Sequence, residues 1–137
     1  MAKYLVDSEN RLNEVTTYLV EAKSVKEAIK KVADAHIKDE EILFEDFTSF
    51  WEQAYIFEAG CDVELANVKF KELIYKEFGN KNIYRGLDID KFYNEAKYLL
   101  DNDISVMEAS EEFRMVMFKY AYKKITAINL NKLRELN

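Results

Sequence analysis

The sequence contains no proline, and glycine occurs only at Gly60, Gly79 and Gly86. A Rossmann dinucleotide-binding fingerprint and a phosphate-binding P-loop both need closely spaced glycines, because the backbone must approach a phosphate at short range. The three glycines of this chain have neither spacing. The sequence therefore excludes both nucleotide-binding loops.

Cysteine and histidine each occur once, as Cys61 and His36. One cysteine cannot form an intramolecular disulfide, and the two residues together supply too few ligands for a structural zinc site. A nucleophilic cysteine would need activation by a histidine or a helix N-terminus, and nothing in the sequence places His36 beside Cys61. We expect no catalytic site, and we expect a reducing, cytoplasmic environment.

The acidic residues next to His36 are the only candidate metal ligands. His36 and Glu40 have the i,i+4 spacing of one helix face, and Glu41, Glu45 and Asp46 follow closely. A di-iron carboxylate bundle needs two Glu-x-x-His pairs, whereas this chain has one histidine and no such pair. We therefore predict no metal and no cofactor.

Long apolar runs are also missing, although 49% of the 137 residues are hydrophobic. No segment approaches the roughly 18 apolar residues that a membrane-spanning helix needs. The chain has the length of one ordinary domain, and its net charge is −6. These properties predict a single soluble domain over residues 1–137 with no membrane association.

Two β-branched and aromatic runs near the N-terminus predict a β-hairpin. The runs 4–6 and 15–20 flank a polar stretch, residues 7–14, that favours a turn. Because an isolated hairpin is only marginally stable, it needs either a helix packed on one face or another strand on its edge. A capping box at 24–27 predicts that such a helix follows over residues 25–38.

Helical periodicity predicts that most of the remaining chain is helical. Residues 42–58 fit a period of 3.6 better than a period of two, although their aromatic residues also suit a strand. Between Asp62 as N-cap and Gly79 as αL stop, an apolar stripe predicts a helix over 63–78. The aperiodic loop 80–87 is the only candidate boundary between subdomains.

A further helix is predicted from Asp88 to about residue 101, and a second capping box at 105–108 opens the last helical region, 106–124. This region carries two apolar stripes. The first consists of Val106, Ala109, Phe113, Val116 and Tyr120, and the second of Met115, Phe118 and Tyr122. A helix with two apolar faces is either central in a core or half covered by a partner. We predict an α+β, predominantly helical fold, with the N-terminal hairpin packed on four to five helices.

Charge is distributed unevenly along the chain. Residues 113–137 carry a net charge of +5 and residues 1–112 carry −11. A basic stripe attracts phosphates or an acidic protein surface. We therefore predict that Lys119, Lys123 and Lys124 bind a partner together with Met115, Phe118 and Tyr122. The alternative is that the two regions neutralise each other inside the fold or across a dimer.

The C-terminal half also carries a family resemblance, in the segments 96–100, 104–115 and 118–124. They resemble the helix-turn-helix of small bacterial regulators and sigma-like sporulation regulators, in which a short helix of the form S/T-V-x-x-x-A-x-x-F precedes a tight turn and a recognition helix. The resemblance covers about a fifth of the chain. It implies that Lys119, Lys123 and Lys124 contact DNA phosphates, and that Phe118 and Tyr122 lie at base edges or at a dimer contact.

This sequence departs from that pattern at three positions. Ser110 replaces the small alanine under the turn, Arg114 replaces the turn glycine, and Val116 replaces the serine that caps the recognition helix. A non-glycine residue in the left-handed conformation is strained. The alternative to a helix-turn-helix is therefore one continuous helix over 106–124.

Two functions remain consistent with the sequence. The first is a small non-enzymatic protein–protein interaction or regulatory protein, such as a phage or mobile-element inhibitor of a host system, with a protein partner or a second copy of the chain. A lysine-to-arginine ratio of 16 to 4 and ten asparagines suit an AT-rich, low-GC bacterial or phage coding sequence. The second is a DNA-binding transcriptional regulator that uses the C-terminal helices, residues 88–124.

Overall fold

The computed structural model describes residues 1–39 and 48–133. The chain folds into two compact units, the first containing residues 1–40 and 114–137 and the second residues 41–113. The first unit therefore joins the two ends of the chain. The loop 80–87, at which the sequence placed a candidate subdomain boundary, lies inside the second unit.

The first unit contains a three-stranded antiparallel sheet with a helix on one face. Strands β1 (Ala2–Asn10), β2 (Val15–Ala22) and β3 (Tyr122–Asn129) lie in the order β2-β1-β3, so β1 is central. Helix α1 (Val25–Asp39) follows the hairpin, and a 3-10 turn at Leu130–Lys132 follows β3. This arrangement confirms the predicted hairpin and the predicted helix that packs on it.

The alternation of side chains along β1 determines which face of the sheet is buried. Tyr4, Val6 and Ser8 are buried, whereas the residues between them lie on the opposite face. The buried face forms a core with α1 and with the end of the last helix. The core residues outside β1 are Ala22, Ala28, Val32, Ala33, Phe118 and Tyr122.

Short-range side-chain hydrogen bonds define the hairpin turn and the start of α1. The Asn10 side-chain oxygen accepts hydrogen bonds from the backbone N–H groups of Leu12 and Glu14, at 2.9 and 3.0 Å. The Ser24 hydroxyl accepts from the N–H of Glu27 at 3.1 Å, as the capping box predicts. Each bond satisfies backbone donors that the turn or the helix end leaves without partners.

The second unit is helical. Its described part begins with a helical turn at 48–52 that continues into a π-helix, Gln53–Glu58. Helices α2 (Val63–Phe78) and α3 (Ile89–Asp101) follow, and a 3-10 turn forms at Val106–Glu108. Residues 48–58 are thus helical as predicted, whereas the rest of the predicted helix 42–58 lies outside the described residues.

The N-caps of α2 and α3 are those that the sequence predicts, but Gly79 acts differently. The Asp62 carboxylate accepts from the N–H of Leu65 at 3.1 Å, and the Asp88 carboxylate from the N–H of Lys91 at 3.2 Å. The prediction of an αL stop at Gly79 is wrong, because its φ is −79°. Glycine is needed there because a Cβ atom would clash with the backbone oxygen of Tyr75.

The prediction that helical structure continues to residue 124 is wrong. Helix α4 spans Glu111–Ala121, and β3 begins at Tyr122. The helix starts at Ser110, whose hydroxyl accepts from the N–H of Phe113 at 3.2 Å, rather than at the capping box 105–108. Residues of β3 alternate in exposure and pair with β1, for example Ile125 with Ser8. The strand therefore depends on a partner from the other end of the chain.

The fold class is α+β and mainly helical, as the sequence predicts. The difference lies in the third strand, which converts the N-terminal hairpin into a sheet. A third strand and a covering helix are what make a small sheet stable.

Candidate functional site

The second apolar stripe of the last helix is not an exposed surface. Phe118 is 0% exposed and Tyr122 is 6% exposed, and both belong to the core of the first unit. Met115 is half-buried against the same core. Burial of Phe118 and Tyr122 therefore argues against the prediction that the second stripe binds a partner. The sheet and α1 cover the face of α4 that the helical pattern left without a partner.

The core of the first unit contains a buried chain of hydrogen bonds centred on His36. The Ser8 hydroxyl lies 2.8 Å from His36 Nε2, and the Tyr122 hydroxyl lies 2.8 Å from His36 Nδ1. Ser8 and His36 are 0% and 1% exposed. The imidazole also contacts the rings of Tyr18 and Phe118, at centroid distances of 5.1 and 5.6 Å.

The Ser8 hydroxyl also has an acceptor in the backbone. It donates to the backbone oxygen of Thr16 at 3.4 Å. Hydroxyl groups donate and accept, so Ser8 and Tyr122 can each pair with a ring nitrogen in either neutral tautomer. The three side chains therefore form hydrogen bonds with one another inside the core.

This arrangement contains a serine and a histidine at hydrogen-bond distance, but it is not an accessible nucleophile. A nucleophilic hydroxyl must reach a substrate atom, and the Ser8 side chain is buried under α1. Both nitrogens of His36 are engaged by Ser8 and Tyr122, so neither is available to activate Cys61. The geometry is that of a satisfied polar group in a core.

The lysines predicted to bind a partner include one that is paired inside the first unit. Lys123 Nζ lies 3.2 Å from a carboxylate oxygen of Glu9, and it also bonds to the Asn13 side chain. Lys124 lies opposite Glu9 in the pairing of β1 with β3. Both lysines therefore lie beside acidic or polar side chains of β1 and its turn.

Two further basic residues of the C-terminal segment lie on α4. Arg114 Nε donates to the Asp34 carboxylate of α1 at 3.1 Å. Lys119 is exposed. With Lys123, the pairing of Arg114 favours the alternative in which the basic segment is neutralised inside the fold.

Within residues 1–39 and 48–133, no group of three or more histidine, cysteine, aspartate or glutamate side chains has the geometry of a metal site. The predicted acidic cluster, Glu40, Glu41, Glu45 and Asp46, lies outside those residues. No helix among the described residues is both long enough and apolar enough to cross a membrane.

Exposed apolar side chains are instead concentrated in one stretch of the second unit. Fifteen large hydrophobic residues of the described chain are exposed, and five of them lie within residues 56–68. Phe57 is the most exposed of the fifteen, at 81%. We call these five residues the 56–68 patch: Ile56, Phe57, Val63, Leu65 and Val68.

The backbone around the patch is held by close internal contacts. In the π-helix the N–H of Ala59 donates to the Ala54 oxygen at 2.9 Å, and the N–H of Cys61 donates to the Tyr55 oxygen at 2.7 Å. Cys61 has a φ of 68°, a left-handed conformation that L-residues rarely adopt. Single-turn π-helices often occur at functional sites.

Aromatic packing anchors the inner side of the same segment. The Trp51 ring stacks on Tyr55 at a centroid distance of 5.9 Å and meets the edge of Phe70 in α2 at 5.7 Å. Ala54, one turn before Phe57, is fully buried. Contacts on the buried side of this segment therefore hold the π-helix in place, while the side chains of Ile56 and Phe57 remain exposed to solvent.

The sequence around the patch is acidic. Residues 39–68 contain nine acidic residues and no lysine or arginine. The second unit as a whole has 17 acidic and 7 basic residues, a net charge of −10, whereas the first unit has 9 acidic and 13 basic residues, a net charge of +4. This run without basic residues was the sequence signal that could have identified the patch.

The second unit also contains a tyrosine with a shifted ionisation. Partial burial raises the pKa of Tyr93 above its ordinary value, and the nearby Asp101 carboxylate adds to that effect. Tyr93 packs against Phe70 and Tyr75. These contacts assign it to the packing of α2 against α3.

Comparisons with known proteins give no relative from which a function can be transferred. The chain matches no family model, no curated protein and no solved structure. Only the surfaces of the described residues therefore bear on function.

Proposed function

We propose that this protein is a regulatory protein-binding module without catalytic activity, and that the 56–68 patch binds a basic, partly apolar surface of a partner protein. The observation that carries the proposal is the exposure of Phe57, 81%, in a segment without basic residues. Exposed apolar patches rimmed by polar residues are typical of protein interaction sites.

The composition of the patch supports a protein as the partner. A large aromatic side chain at the centre of an interface, inserted into a pocket, often carries much of the binding energy. The exposed acidic residues nearest in sequence are Glu52, Glu58, Asp62 and Glu64. A rim of carboxylates attracts basic side chains and increases the rate of association, and it repels nucleic acid phosphates.

A DNA-binding regulator that uses residues 88–124 is the alternative, and it has less support. Lys123 and Arg114 pair with Glu9 and Asp34, and Tyr122–Lys124 belong to a strand rather than to a recognition helix. A gel shift of the wild-type protein with duplex DNA tests this alternative.

The test compares wild-type protein with Phe57→Ala and with Tyr98→Ala, each immobilised and exposed to a lysate of the source cell. Tyr98 is the matched control, because it is an aromatic residue of the same unit that is 59% exposed outside the patch. We expect a protein from the lysate to bind to wild type and to Tyr98→Ala, and to bind less to Phe57→Ala. With the purified partner, Phe57→Ala should lose about 2 kcal/mol of binding free energy, roughly 30-fold in Kd.

Two measurements complete the design. Because Phe57 is exposed, Phe57→Ala should have the same midpoint denaturant concentration of unfolding as wild type. Affinity for the partner should fall as salt is added, since the carboxylate rim is screened. Equal binding by Phe57→Ala and wild type would contradict the proposal, and a salt-dependent gel shift with random duplex DNA would favour the DNA-binding alternative.

A further inference from the structure

Strand β2 is an edge strand, and its outer side has no neighbouring strand among the described residues. Every second residue of an edge strand directs its N–H and C=O groups away from the sheet. The side chains of β2 are mostly exposed, with Val15 and Leu19 at 55% and 64%. The outer side of β2 is therefore open to another strand.

The two edges of the sheet differ in their protection against pairing. Natural proteins discourage edge-to-edge pairing with charged residues, lysine above all. The β3 edge carries Lys123 and Lys124. In β2, the six consecutive residues Val15–Val20 are uncharged and rich in β-branched and aromatic side chains, which favour strand pairing. Only the β2 edge has the composition of a pairing site.

The register of the sheet adds an apolar row to this edge. Leu5 of β1 lies opposite Leu19 of β2 on one side and opposite Ile128 of β3 on the other. The three side chains lie on the face that does not carry the buried residues of β1. The row begins at Leu19, on the open edge.

We infer that β2 pairs antiparallel with β2 of a second copy of this chain, centred on Leu19, to form a continuous six-stranded sheet. In this register Leu19 lies opposite its own counterpart, and Tyr18 lies opposite Val20 of the other copy. The apolar row then crosses all six strands. Tyr18 and Val20 lie on the other face of the sheet, where they are only half-buried against the core, and the pairing makes them less exposed.

Charge favours a second copy as the occupant and favours this register. The only charged residue in β2 is Glu21, and the register places it opposite Thr17 of the other copy rather than opposite another Glu21. Like charges directly opposite each other destabilise a sheet. A twofold pairing also closes on itself, so that it produces a dimer and not a filament.

The interface is small, so the dimer should be weak. Eight residues of strand extend about 27 Å, and stable protein interfaces bury roughly 800 Å² on each partner. The apparent mass should therefore rise with protein concentration rather than remain at the dimer value. The inference concerns the first unit and does not depend on the 56–68 patch.

The test measures association of the full chain by sedimentation over a range of concentrations. The variants Leu19→Lys and Leu19→Glu each place like charges opposite each other at the twofold axis, and each should weaken association by about tenfold or more. Mixing the two should restore association, because lysine then lies opposite glutamate. Ile128→Lys is the matched control: it charges the same apolar row at the other edge and should leave association intact.

The inference is overturned if wild type remains monomeric at all concentrations, or if Ile128→Lys weakens association as much as Leu19→Lys does. It is also overturned if the mixture of Leu19→Lys and Leu19→Glu associates no better than either variant alone. Circular dichroism identifies a folding defect directly. Because Leu19 is 64% exposed, all variants should give the wild-type spectrum.

Discussion

His36 illustrates how the neighbours of a residue determine its role. From the sequence it is the only histidine, on one face of α1, with a candidate metal ligand four residues later. In the fold its two nitrogens contact the hydroxyls of Ser8 and Tyr122, which come from the N-terminal strand and the third strand. No local pattern could indicate these partners, because they lie 28 and 86 residues away in sequence. His36 is therefore a buried core residue.

We predict that Tyr122→Phe lowers the free energy of unfolding by about 1–3 kcal/mol, since it removes the hydroxyl that forms a buried hydrogen bond with His36 Nδ1. Urea denaturation measures the difference. Tyr98→Phe is the matched control, because its hydroxyl belongs to an exposed side chain, and it should change stability very little. Equal losses in the two variants would show that the hydroxyl–imidazole bond contributes nothing specific.

At the scale of secondary-structure elements, local side-chain chemistry determines where helices begin. Asp62 and Asp88 are identifiable as N-caps from sequence, and both make the expected hydrogen bond to a backbone N–H three residues later. The start of α4 was harder to predict. Its cap Ser110 also donates to the Glu95 carboxylate of α3 at 2.6 Å, a contact between elements that are separate in sequence.

For α2 we predict that Asp62→Ala costs about 1 kcal/mol of stability, because the cap acceptor is lost. Asp62→Asn should retain most of that stability, because the amide oxygen still accepts from the N–H of Leu65. Thermal unfolding of the three proteins provides the comparison. If the asparagine variant is as unstable as the alanine variant, the negative charge at the helix N-terminus, and not the hydrogen bond, is the stabilising factor.

At the scale of the whole molecule, charge follows the division into units. In the sequence the net charge changes sign near residue 113. In the fold the first unit, which contains both ends of the chain, has a net charge of +4, and the second unit has a net charge of −10. Excess charge of one sign destabilises a compact state through self-repulsion. The second unit therefore carries most of the repulsion between like charges.

We predict that stability rises by up to about 1 kcal/mol when NaCl is increased from low concentration to roughly 150 mM, since screening then acts within about 8 Å. Chemical denaturation at each salt concentration gives this dependence. The double variant Glu52→Gln with Glu58→Gln, at two exposed positions, should be more stable at low salt and less responsive to added salt. A fall in stability with salt would mean that attractive ion pairs outweigh the repulsion.

The sequence alone determined the elements whose signals are local: the hairpin, helix α1, helices α2 and α3 with their caps, and the α+β class. Periodicity and capping act over a few residues, so they are readable without a structure. The sequence also excluded the nucleotide-binding loops that need closely spaced glycines.

Only the tertiary structure determined the secondary structure and the burial of residues 115–129. Phe118 and Tyr122 have helical spacing with Met115, which is why the pattern predicted a second apolar face that binds a partner. Pairing of β3 with β1, across more than a hundred residues, instead ends the helix at Ala121 and buries both aromatics. Burial depends on which distant segments come together, and long-range strand pairing outweighs the local helical preference. For the same reason only the folded chain shows the open edge of β2 and the exposure of Phe57.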